Sequence, residues 1–255
     1  MAGEGPPVLL LHGLTATRRY VVHGSRAIER SGRRVIAYDA RGHGESSRAP
    51  GPPDYAYTEL VADALAVLDA AGVERAALVG QSMGSATAIG LALAHPERVS
   101  ALVVITPAHL GAPSADLRRW DALADGLERG GPDGFLAAMG PPTVPARWAD
   151  TVLTVVRQRL ERHRDPAAVA DALRGVPRSA AFDGLDALAE VAVPTLVVAS
   201  RDEVDPDHPM AVAREYAARI PDVRMTVEDA GESPLAWRGG RLSEAVVDLL
   251  EEAGA

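Results

Sequence analysis

Apolar residues along the chain fall into short continuous runs, separated by longer stretches in which they recur every three or four positions. The runs are residues 8–12, 34–39, 76–80, 101–106, 194–200 and 223–228. Each is about five to seven residues long and nearly continuously apolar in its middle, as expected of strands covered on both faces of a parallel sheet. Residues 18–31, 58–71, 83–95, 209–220 and 242–252 carry the helical period instead. Strands alternating with helices predict an α/β fold: about six parallel strands joined by crossovers and flanked by helices.

One interval breaks the alternation. Between 109 and 190 there is no strand-like run, only helical segments interrupted by Gly and Pro at 130–134 and 140–145. A loop of that length does not fit a compact domain. The interval predicts a helical subdomain inserted after the fourth strand, with 1–108 and 191–255 forming the core around it. Trp120, Trp148, Phe135 and Met139 lie within the insertion. They either fill its own small core or line a pocket facing the sheet.

Composition narrows the chemistry. The 255 residues include no Cys, and all 26 basic residues are Arg, with no Lys and no Asn. This removes thiol nucleophiles, thiolate metal sites, disulfides, Schiff-base lysines and the lysine-bearing phosphate loop. A covalent mechanism must therefore use a hydroxyl, a carboxylate or an imidazole. The net charge of −9 repels phosphate backbones and anionic membranes, so neither nucleic acid nor a membrane is an expected partner. Arg157, Arg159, Arg162 and Arg164 sit among acidic neighbours in a helical stretch and read as a solvated face. The N-terminus lacks the basic and apolar regions of a signal peptide. No run approaches the roughly 20 apolar residues of a membrane span, and the expected compartment is cytoplasmic. Histidines and acids lack ligand spacing on a common helix face, so no metal and no cofactor is expected.

Gly80-Gln81-Ser82-Met83-Gly84 lies between a strand-like run and the start of a helical pattern. G-x-S-x-G at a sharp strand-to-helix turn raises the serine hydroxyl above the carboxyl edge of a sheet, beside the N–H groups of a helix N-terminus. With this motif in this place, the chain resembles the α/β-hydrolase superfamily over nearly its whole length. Within that superfamily it looks like bacterial esterase-like members of the actinobacterial type. Leu11-His12-Gly13-Leu14 looks like the family's oxyanion loop, which would make the Leu14 and Met83 N–H groups the two donors. Asp39-Ala40-Arg41-Gly42-His43-Gly44-Glu45-Ser46 looks like its D-x-R-G-x-G-x-S turn. His95-Pro96-Glu97-Arg98-Val99 matches its usual helix ending, and the insertion sits where the family places its cap. The chain starts at the strand before the oxyanion loop, so the resemblance implies a sheet without the family's first two strands.

The resemblance also implies an acid and a base following the nucleophile, in that order. The D-x-x-x-P pattern puts Asp202 at the acid position, with Asp205 as the alternative. The base is the point of departure: the family's histidine after the last strand is replaced by Glu232, within Ala230-Gly231-Glu232-Ser233-Pro234. Two acids sharing a histidine-shaped site would repel, and one would stay protonated. Surrogate bases are His109, just past the fourth strand, and His208, after the acid loop; His23 could approach the oxyanion loop. His12, His43 and His95 belong to the motifs and read as structural, and His163 reads as solvent-facing. Three functions remain open: a carboxylic-ester hydrolase acting through Ser82, a non-hydrolytic small-molecule-binding protein, and a lyase using Asp202 and Glu232. The apolar insertion with its two tryptophans suits a small hydrophobic ester. Oligomeric state is not set by the sequence.

Overall fold

The computed structural model describes residues 1–230 and 239–255. Its strands are β1 (Pro7–Leu11), β2 (Arg34–Ala37), β3 (Ala76–Gln81), β4 (Val99–Ile105), β5 (Thr195–Ala199) and β6 (Val223–Val227). They form one six-stranded sheet of order β2-β1-β3-β4-β5-β6, with every neighbouring pair parallel. The continuous apolar runs are explained by the register. Leu9, Leu78 and Leu102 lie side by side on one face; Val8, Ala77 and Ala101 lie side by side on the other.

Each face is covered by helices. On the first, Ala64 and Leu68 of α2 (Tyr57–Ala70), Ala88 to Ala92 of α3 (Met83–Ala94) and Val212, Ala213 and Tyr216 of α7 (Met210–Arg219) pack on the sheet. On the second, Ile28 of α1 (Ala27–Arg30) and Leu242, Val246, Leu249 and Leu250 of α8 (Gly239–Glu252) do so. Residues Met83 to Ala92 of α3 are buried without interruption, as expected of a helix enclosed on all sides. Such a helix fixes whatever is mounted at its N-terminus. Truncating Leu78, fully enclosed in the central strand, would remove packing worth about 2–5 kcal/mol.

Between β4 and β5 lie α4 (Leu117–Met139), α5 (Ala146–Leu160) and α6 (Pro166–Gly175). Asp116 caps α4 by accepting from the Arg119 N–H, and Asp165 caps α6 by accepting from Ala167 and Ala168. Helix α4 kinks at Gly131 (φ 58°), just before Pro132. The insertion has a core of its own: Leu123, Leu127, Phe135, Val156, Leu160, Val169 and Leu173, with Trp120 and Met139 partly buried against it. Leu14 packs both there and against a second cluster of Tyr55, Tyr57, Met83, Ala172 and Val176, which seats the insertion over the strand ends.

The helix expected over 18–31 is mostly absent, and only Ala27–Arg30 is helical. Residues 15–25 form successive turns, with Thr15, His23 and Gly24 at positive φ. Val21 and Val22 still reach the core, so the apolar spacing is satisfied by a loop lying on the sheet. No helix among the described residues is long and apolar enough to cross a membrane.

Candidate active site

Ser82 sits between β3 and α3 with φ 51° and ψ −113°. That strained conformation costs a non-glycine residue about 1–3 kcal/mol and persists only where the surroundings impose it. They do so through two glycines. A Cβ on Gly80 would meet the Gly84 carbonyl oxygen at 2.2 Å, and one on Gly84 would meet the Leu11 carbonyl oxygen at 2.2 Å. Strand β1 and helix α3 therefore touch backbone to backbone under the serine. The Ser82 N–H donates to the Ile105 carbonyl, and the side chain is turned up from the sheet.

Its hydroxyl meets a histidine, and that histidine is His208. Nε2 of His208 lies 2.8 Å from Ser82 Oγ, and Nδ1 lies 2.8 Å from each oxygen of Asp205. With Nδ1–H donating to Asp205, the unprotonated Nε2 accepts from the serine hydroxyl. Burial alone pushes the His208 pKa down, but the charge and hydrogen bond of Asp205 outweigh it, and the net shift is upward. For Asp205, burial pushes the pKa up; His208 and the nearby Arg159 reverse this and hold the carboxyl low. Both side chains are 22% exposed, open enough for a small substrate.

The other sequence-derived candidates have different settings. Asp202 is exposed and accepts from the Met210 N–H at the start of α7; it is Asp205, not Asp202, that meets the His208 ring. Glu232 lies outside the described residues. His109 accepts on Nε2 from the Ala181 N–H and packs its ring against Tyr57 and Phe182, each at 5.0 Å. Burial lowers its pKa to about 4, so it is a wedge under the insertion rather than a partner of Ser82. Gly13 packs against Ser82, where an added Cβ would come within 3.3 Å of the Ser82 Cβ. This brings the loop carrying Leu14 to the nucleophile. Met83 opens α3, where the first N–H groups have no acceptor within the helix.

Two residues read as solvated face inward. His163 is buried; its Nδ1 accepts from the Gly44 N–H and its Nε2–H donates to the Thr15 carbonyl, each at 2.9 Å. It joins the insertion to both family-like loops and meets the His43 ring edge to face, with the His43 ring tilted in turn against His12. Arg159 is partly buried on α5, unlike Arg162 and Arg164, which are exposed, and Arg157, which pairs with Asp133 on the surface. Arg159 shares the inward stripe of α5 with Val156 and Leu160, and His163 follows just past the helix end, at a sequence spacing of 156, 159, 160 and 163. That spacing is the sequence signal for an inward face, masked here by the run of arginines.

A family model described as alpha/beta hydrolase fold matches residues 6–238. The chain is 33% identical over 233 residues to a protein of Azorhizobium caulinodans named for carbamate hydrolysis (RutD), covering 90% of this chain and 84% of that one. Among solved structures, a thermophilic esterase from Thermogutta terrifontis with malate bound superposes with a TM-score of 0.81 at 25% identity, covering 100% of this chain and 92% of its own. The enol-lactonase from Burkholderia xenovorans LB400 gives 0.78 at 25% identity, covering 98% and 92%.

Proposed function

Since the chain belongs to the α/β-hydrolase family, we propose that it is a serine hydrolase cleaving small carboxylic esters through an acyl-enzyme on Ser82. His208 is the general base and Asp205 its acid partner. The observation that carries this reading is the continuous chain from Ser82 Oγ through the His208 ring to Asp205, each link at 2.8 Å. Ser82 Oγ attacks the ester carbonyl carbon while its proton passes to His208 Nε2. The tetrahedral oxyanion is held by the Leu14 and Met83 N–H groups. Collapse breaks the bond to the alkoxy oxygen, which leaves as the alcohol with the proton from His208. Water then attacks the acyl carbon, giving a proton to His208, and the acid departs as Ser82 regains its hydrogen. Asp205 holds the ring in the needed tautomer and stabilises the imidazolium. The insertion supplies an apolar cover, with Leu14 at the seam. The similar proteins are named for carbamate, ester and lactone substrates, each of which is hydrolysed at a carbonyl carbon.

The test sets the two possible base positions against each other. Hydrolysis of 4-nitrophenyl butyrate should fall by about 10³- to 10⁶-fold in Ser82→Ala and in His208→Ala. A fluorophosphonate should label Ser82 in the unaltered protein, and Glu232→His should leave the rate within a few-fold. A His208→Ala protein that keeps its activity, or a Glu232→His protein that gains orders of magnitude, would move the base to position 232 and overturn the assignment.

A further inference from the structure

The guanidinium of Arg159 reaches from α5 toward the catalytic loop, within electrostatic range of Asp205, Asp207, His208 and the Tyr20 hydroxyl. Yet among the described residues it forms no hydrogen bond or ion pair, and its Nε is shut away from water without an acceptor there. The two nearby carboxylates are already committed: Asp205 to His208 and Asp207 to Arg119 at 2.6 Å. Several other arginines of the insertion find acids. Arg157 meets Asp133, Arg174 meets Asp125 and Glu128, and Arg178 meets Asp121. A guanidinium stays charged in a protein, and an enclosed donor without an acceptor costs free energy that a bound acceptor returns. Arginine's planar fork matches a carboxylate with two parallel donors.

Building on the proposed reaction at Ser82, we propose that Arg159 binds a carboxylate on the substrate, so that the preferred esters are monoesters of small dicarboxylic acids. The ester carbonyl faces Ser82 and the free carboxylate faces Arg159. Asp205 and Asp207 are balanced in charge by Arg119 and Arg159, so one added negative charge does not enter a net negative site. The apolar chain between the two carboxyl groups lies under the insertion.

The experiment compares esters of acids with equal carbon number, with and without the second carboxylate. Monomethyl esters of succinic, glutaric and adipic acid are set against methyl butyrate, pentanoate and hexanoate, with acid release followed in a pH-stat. Arg159→Met should lower kcat/KM by about 10- to 100-fold for at least one acid-bearing ester, chiefly through KM. The neutral series should share only the loss that comes through Asp205, so the acid-to-neutral ratio of kcat/KM should itself fall by at least about 10-fold. Arg159→Lys, which keeps the charge without the fork, should fall between, and thermal melting checks that both variants fold. Equal losses on both series would mean that Arg159 merely tunes the triad, and no loss on the acid series would mean it binds nothing; either overturns the proposal. If the unaltered protein cleaves neither series, the hydrolase reading fails by itself. Calorimetric titration with succinate and glutarate then decides the anion site: binding that Arg159→Met abolishes upholds it, and absence of binding sinks it.

Discussion

At the scale of single residues, the site depends on which groups have partners. The Asp205 carboxylate keeps the His208 pKa above the ordinary histidine value, and catalysis needs the neutral ring. The acid limb of kcat/KM against pH should therefore have its midpoint above about 6.5. In Asp205→Asn the limb should shift to lower pH while the maximum rate drops by at least about a hundredfold. A limb that stays in place would detach Asp205 from the base. His163 makes a different kind of prediction. His163→Leu would strand the Gly44 N–H and the Thr15 carbonyl, both engaged by that ring, at a cost of about 3 kcal/mol. Urea denaturation should show the loss, and an unchanged midpoint would mean that water replaces the ring without penalty.

At the scale of elements, the strands were legible because burial on both sheet faces leaves an unbroken apolar run, as at 76–80 and 101–106. The nucleophile turn was legible because steric contact demands glycine at fixed offsets from the serine. Gly84→Ala tests that contact: its methyl would be driven into the Leu11 carbonyl oxygen. The variant should lose about 3 kcal/mol and nearly all activity, and a stable, active Gly84→Ala protein would refute the account. The stretch 18–31 misled because Val21, Val22 and Ile28 show a helical spacing that turns at positive φ also satisfy. The proposed base was obscured for another reason. Its expected place follows β6, whereas the pair that forms, Asp205 and His208, is a short-range feature of the β5–α7 loop. Arg159 was hidden because helix rotation, not charge pattern, decides which arginine faces inward; the insertion's packing settles that only once Val156 and Leu160 are seen in its core.

Across the whole molecule, the acid response follows from histidines held neutral by burial. The pKa of His12 is lowered to about 4, chiefly by burial, and so is that of His109; His43 and His163 are lowered for the same main reason. Between about pH 6.5 and 4 the unfolded chain binds these protons and the folded chain resists them, so stability must fall as pH falls through that window. His208 has the opposite sign. Its contribution is complete below the unfolded value of about 6.5 and is lost as pH rises through the raised folded value. The depressed histidines outnumber it, so the urea midpoint should drop on going from pH 7 to pH 5. A midpoint that is flat or rises over that interval would contradict the burial argument.

The Asp205–His208 contact spans three residues of one loop, so the acid and base proposed for the reaction are portable as one unit. An acid and a base on separate strand ends must be kept aligned by everything between them, so neither can move to another scaffold alone. Here a single short peptide carries both in working register. A relative could gain or lose the relay in one loop exchange, and the stretch after β6 would be free to drift or be recruited for selectivity. The same economy offers a designer a self-contained cassette to install wherever a β-strand ends beside a serine.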